Sequence, residues 1–171
     1  MTRWLDDDEQ RTWRMFLAMS RRLPEALERQ TRAEADMPST YYIVLAMLSE
    51  APGRALRMSD LAEITQSSPS RLSHAVARLE ERGWIRRERA PQDGRGNLAV
   101  LTEEGMDVVV ATAPGHVRAV RRLLFDVITP EQRVALEEIC RSVLDALAEA
   151  GTDEPEVPGV AGEGAVAPPV P

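Results

Sequence analysis

Cysteine is nearly absent from the chain and lysine is missing altogether: 171 residues contain one Cys and 21 basic side chains, every one of them arginine. A lone thiol, Cys140, cannot close an internal disulfide, and no Cys/His cluster has the spacing that would hold zinc. Aromatic residues make up only 4% of the sequence. No run of about 18 apolar residues occurs, so a membrane-spanning helix is not expected. The N-terminal stretch turns acidic after Trp4 (Asp6, Asp7, Asp8, Glu9) and has no apolar signal core, which argues against export. A Gly-rich phosphate loop, a nucleophile motif and a paired-carboxylate arrangement are also lacking, so nothing supports an enzyme. The expectation is a cytoplasmic protein without a metal or other cofactor.

What is present fits one globular domain followed by a tail. Hydrophobic residues make up 43% and charged residues 29% of the chain, enough to build a real core. From Gly151 to Pro171 the composition shifts to Gly, Pro, Ala and Val with four acids and no base, which describes a disordered tail after a domain of residues 1–150. The net charge of −7 is unevenly spread. Residues 53–100 hold nine arginines against six acids, a local +3 set against −10 elsewhere. Charges beyond about 8–10 Å are screened at cellular salt, so the local excess is what an anionic partner would feel.

In chain order, residues 8–32 read as a helix with Trp13, Phe16, Leu17, Leu23 and Leu27 along one side, kinked or interrupted at Pro24. Ser39 is placed as the cap of a helix from Thr40 to Glu50 that is apolar nearly all round, and Ala51-Pro52-Gly53 stops it. Ala55–Met58 reads as a short strand, and Ser59 as the cap of a brief helix from Asp60 to Thr65. A few residues later Ser68 and Pro69 open another helix, the spacing of a helix-turn-helix pair. Its Leu72, Val76 and Leu79 form a buried stripe, which turns Ser70, His74, Ala77 and Arg78 outward with Arg71 flanking. Gly83 ends it in a left-handed cap.

Trp84–Arg89 and Asn97–Leu101 are strand candidates separated by the turn formers Pro91, Asp93, Gly94 and Gly96, so a two-stranded wing follows the second helix. Thr102 caps the next helix, which Ala113-Pro114-Gly115 breaks or bends. Thr129-Pro130-Glu131 starts a last helix running to about Glu149. Its Leu136, Ile139, Cys140, Val143, Leu144 and Leu147 recur at near-heptad spacing. The fold class is mainly α with a small β-wing (α+β). Both ends carry apolar stripes with few partners inside so small a domain, and a homodimer is the simplest cover.

With this order of elements, and with the segments RMSDLAEITQSSPSRLSHAVARLEERGWIRR and DGRGNLAVLTEEG, the chain resembles the MarR family of dimeric transcription regulators. Asp93, Gly94 and Arg95 match the family's Asp-x-Arg wing turn, and Leu101, Thr102 and Gly105 match its Leu-Thr-x-x-Gly entry into the dimerisation helix. The resemblance covers about Asp8 to Glu149. It implies dimerisation helices at about 8–36 and 103–149 around a winged helix-turn-helix at about 39–102. It also implies a sequence-specific, ligand-responsive repressor that binds a pseudo-palindromic DNA operator. Arg95 would then enter a minor groove with Asp93 supporting the turn. Ser70, Arg71 and His74 would face base edges, and Ser59, Ser68 and Arg78 phosphates. A small lipophilic or phenolic ligand would sit between arm and DNA lobe, where Trp13, Phe16, Tyr41 and Tyr42 are candidates.

Each assignment has a plainer competitor. Ser68 caps its helix whatever else it does, and Arg78 suits an ion pair with Glu81 as well as a phosphate. At least one of Arg86, Arg87 and Arg89, alternating on a strand, should face water. Ordinary core packing competes for each of the four aromatic residues, and a buried seam position for Cys140. Cys140 does not match the N-terminal reactive cysteine of the family's peroxide-sensing branch. The rival function is a winged-helix dimerisation or protein-interaction module without a specific DNA target.

Overall fold

A reciprocal cap opens the first helix, α1 (Asp7–Ala35): the Asp6 carboxylate accepts the backbone N–H of Asp8 and Glu9, and Glu9 accepts that of Asp6. The computed structural model describes residues 1–89 and 97–150. In chain order these form α1, α2 (Ser39–Glu50), β1 (Ala55–Arg57), α3 (Met58–Ile64) and α4 (Pro69–Glu81). They continue with β2 (Ile85–Arg89), β3 (Asn97–Leu101), α5 (Glu103–Leu123) and α6 (Pro130–Glu149). The expected wing turn at Asp93 and the tail from Gly151 lie outside the described residues.

The sheet is antiparallel in the order β1-β3-β2, with Leu56 opposite Ala99 and Arg87 opposite the same residue from the other side. Around it lies one core: Val44, Leu45 and Leu48 of α2, Leu61 of α3, Leu72, Val76 and Leu79 of α4, Ile85, Leu101 and Val109. Burying a side chain of this size stabilises by about 1.5–3 kcal/mol, so this cluster is the main force holding α2 to the first half of α5 together.

Two helix starts differ from the sequence reading. Ser39 is the first residue of α2, not its cap, and Pro38 at the cap position offers no side-chain bond. The cap comes from α1 instead: Glu28 Oε2 accepts both the N–H of Ser39 at 2.7 Å and its hydroxyl at 2.5 Å. Likewise Ser59 lies inside α3, its hydroxyl donating to Asp60 Oδ1, because β1 passes straight into the helix at Met58 and leaves no separate capping residue. The prolines also interrupt less than expected. Both α1 and α5 run on through Pro24 and Pro114. The cost of an interior proline, about 3 kcal/mol for the lost backbone bond and the ring's clash together, is borne by helices of 29 and 21 residues.

Burial works to raise the Glu28 carboxyl, but its bonds from Ser39 and the adjacent Arg32 guanidinium outweigh this and hold it below the usual glutamate range. A depressed carboxyl adds stability that is present above its unfolded value and lost as the pH falls through the folded one. Glu28→Ala should therefore cost about 1 kcal/mol at neutral pH, the usual worth of a helix cap. The gap between variant and wild type should narrow as the pH falls from neutral to below the usual glutamate range in urea titrations. An equal gap at both pH values would contradict the cap.

Candidate nucleic-acid interface

α3 and α4 are joined by a tight turn in which Gln66 adopts φ +49° and the Ser67 N–H reaches back to the Ala62 carbonyl at 2.9 Å. Ser68 caps α4, accepting the N–H of Arg71 at 3.4 Å, with Pro69 as the first helical residue. At the far end Gly83 sits at φ +77°, and the N–H groups of Trp84 and Gly83 return to Leu79 and Glu80. This paired closure is the Schellman arrangement, which requires a residue tolerant of the left-handed region.

Between these caps α4 buries Leu72, Ala75, Val76 and Leu79 and leaves Ser70, Arg71, His74 and Arg78 exposed. The exposed four fall within roughly a 100° arc on the side away from the core. Arg71 makes no ion pair among the described residues, while Arg78 holds Glu81 at 2.8 Å. The wing lies beside this face: Arg86 pairs with Glu88 at 2.6 Å, Arg89 is exposed, and Arg87 is half-buried against α4. Ser59 is exposed at the start of α3. Arg95 and Asp93 fall outside the described residues.

The junction of wing and arm explains the Leu-Thr-x-x-Gly pattern physically. The Thr102 hydroxyl donates to the Gly83 carbonyl at 2.7 Å and accepts the Gly105 N–H at 3.0 Å, while the Thr102 N–H donates to Trp84 O. One threonine thus ties the end of α4 to the start of α5. Gly105 packs so closely that a Cβ there would lie 2.1 Å from the Trp84 carbonyl oxygen.

The four aromatic ligand candidates do not converge within one chain. Trp13 and Phe16 stack on each other at 5.9 Å and are exposed; Trp13 lines an open groove of about 300 Å³ with Trp4, Leu5, Gln10 and Arg14. Tyr42 is buried instead against His116, ring centroids 4.7 Å apart, and Tyr41 is half-buried at the core's edge. Near that junction Gln30 Nε2 and His116 Nδ1 are sealed from solvent without a hydrogen-bond partner among the described residues. Burial lowers His116, and burial with Glu50 raises Tyr42, so both rings stay neutral at pH 7.

α6 has no buried residue, and Val134, Ile139 and Val143 stand exposed on it. Trp13, Met15, Phe16 and Met19 of α1 and Val110 and Val117 of α5 are exposed as well. Cys140 is also exposed in the single chain, so the seam that was expected to bury it is open here. Sequence periodicity did not reveal the Arg87 contact or the Glu28 cap, since both partners are distant in the chain. Among the described residues no cluster of His, Cys, Asp or Glu could hold a metal, and no helix is long and apolar enough to cross a membrane.

A helix-turn-helix backed by a three-stranded sheet, with β2 and β3 extending beside the second helix, defines a winged helix-turn-helix protein. Residues 35–96 match the sequence profile of the MarR family. The chain superimposes on Sco3205 of Streptomyces coelicolor, a MarR family transcriptional regulator solved in complex with DNA. That match has a TM-score of 0.84 and 50% identity and covers 90% of this chain and 98% of Sco3205. AbsC, another MarR family regulator of the same organism, matches with TM-score 0.82 and 40% identity over 86% of this chain and 99% of AbsC. The transcriptional regulator HosA of Escherichia coli O111:H- is 33% identical over 79 residues, 46% of this chain and 57% of HosA. This chain belongs to the MarR family of transcription regulators.

Proposed function

We propose that the chain acts as a homodimer, binding a pseudo-palindromic operator through α4 in successive major grooves and repressing transcription until a small ligand releases it. The exposed face of α4 carries the reading. Ser70, Arg71 and His74 lie outward together next to a wing rich in arginine, in a segment that is net positive within an acidic chain. Ser59, Ser68 and Arg78 suit phosphates, and Arg95 with its supporting Asp93 suits the flanking minor groove. That Sco3205 was crystallised in complex with DNA supports DNA as the partner. The open apolar faces of α1, α5 and α6 supply the surface on which a second copy seats. For the ligand, a lipophilic or phenolic class fits Tyr41 and Tyr42 near the α2–α5 junction, while Trp13 and Phe16, farther along α1, form a separate exposed pair. Residues 1–150 form the functional unit and 151–171 an appended tail.

Selection from random DNA tests this. Wild type should return a two-fold symmetric site with affinity that falls steeply with salt. Arg71→Ala should relax one base position per half-site by about 1–3 kcal/mol, and Arg95→Ala should weaken binding through the flanks. Identical preferences for wild type and Arg71→Ala would remove the base-reading assignment. No preference in the wild type would favour a dimerisation module instead.

A further inference from the structure

One side chain fastens the first wing strand to α4. Arg87, at the middle of β2, turns back onto the helix, where its Nη2 donates to the Ser73 carbonyl at 3.0 Å. Its Nε faces Glu80 Oε2 at 3.5 Å, and its backbone N–H donates to Glu80 Oε1 at 3.2 Å. Ser73 and Glu80 are seven residues apart, about two helical turns on one side of α4. The same residue therefore grips the recognition helix at two levels. Arg86 behaves differently, spending its charge on Glu88 within its own strand. The Arg87 Nε is sealed from solvent without a hydrogen bond, whereas an arginine meant for a phosphate keeps its donors open to water.

We propose that Arg87, oriented by Glu80, is a positioning residue for DNA recognition: it sets the angle between α4 and the β2–β3 ribbon. Bases under α4 and bases at the ribbon-side flanks are then read in one register. The inference rests on the DNA-binding reading above. A guanidinium is suited to this role because its planar fork can serve a carbonyl and a carboxylate at once; the ammonium of lysine is a point charge on a flexible stem. β2 is the edge strand of the sheet, paired with β3 alone, so its angle to α4 depends on side-chain contacts such as these.

The test uses the full-length protein and its selected operator, together with operators scrambled only in the flanks or only in the central half-site bases. Arg87→Lys keeps the charge and loses the fork; Glu80→Gln keeps the shape and loses the ion pair. Both should cut the wild type's preference for native over scrambled flanks by roughly tenfold. Both should leave the preference among central bases and the salt slope as in wild type. Thermal melts at equal concentration verify folding, and the mild Glu80→Gln exchange stays informative where Arg87→Lys unfolds. Three results overturn the proposal. One is an unchanged flank preference in Arg87→Lys, and another is an unchanged preference in Glu80→Gln. The third is a uniform loss on every sequence with a salt slope lower by about one, the mark of a direct phosphate contact. A wild type that selects no sequence at all overturns the DNA-binding reading as well, and that outcome is visible before any variant is made.

Discussion

Gly105→Ala should lower the stability of the folded protein by about 2–4 kcal/mol, among the largest losses expected from adding a single methyl group. The added Cβ would lie 2.1 Å from the Trp84 carbonyl oxygen and 2.7 Å from Leu101 Cδ1. The first neighbour is backbone, and it already accepts the N–H of Thr102 at 3.1 Å. Relief therefore requires moving the start of β2 or tilting α5, and either loosens the junction of wing and arm. In a chain of this size the loss corresponds to a melting temperature lower by roughly 4–16 °C. Gly115→Ala is the control. Its Cβ would also meet an atom at 2.1 Å, but that atom is the end of the flexible Glu34 side chain, which can rotate away. Melts of both variants at one protomer concentration should show a large shift for Gly105→Ala and a small one for Gly115→Ala. Equal shifts would mean that backbone contact is not what reserves position 105 for glycine.

The second large effect concerns α6. Ile139 and Val143 lie one helical turn apart and are 59% and 50% exposed, so they contribute little to their own subunit's core. In a two-fold dimer a double exchange to glutamate replaces four apolar side chains with four carboxylates. At about 1.5 kcal/mol or more for each side chain, the dimer dissociation constant should rise by roughly four orders of magnitude. The far-ultraviolet spectrum should stay helical, because the α2–α5 core is untouched. Sedimentation should detect single subunits, and operator affinity should fall at least about a hundredfold because one duplex no longer engages two linked half-sites. Dimers surviving at the wild-type concentration would show that α6 is not part of the interface.

How far the sequence could be read depended on whether a feature was local. The limits of α4 follow from Ser68, Pro69 and Gly83 because capping is settled by atoms within a turn of the boundary. The bounds of β3 and the Thr129-Pro130 start of α6 were legible for the same reason. Ser39 and Ser59 were misread as caps because a hydroxyl before an apolar run is only one way to satisfy a helix start. Glu28, 11 residues upstream of Ser39, does that work from another helix. Pro24 and Pro114 suggested breaks because a proline's local cost is visible, whereas the packing that carries a long helix past it is not. α1 spans 29 residues, about 43 Å, which keeps Trp13 and Phe16 well away from the Gln30 end near Tyr42 and His116. A list of aromatic residues could not reveal that separation. The grip of Arg87 on α4 needed the strand register as well as the alternation.

The most direct measurement is the mass of the complex formed by the purified protein on its selected duplex, read by sedimentation or light scattering at low and at physiological salt. The expected result is two chains per duplex, with protected half-sites centred about one helical turn, or ten base pairs, apart. Complex formation should weaken steeply as salt rises. A single chain on the duplex, or no complex even in dilute buffer, would contradict it.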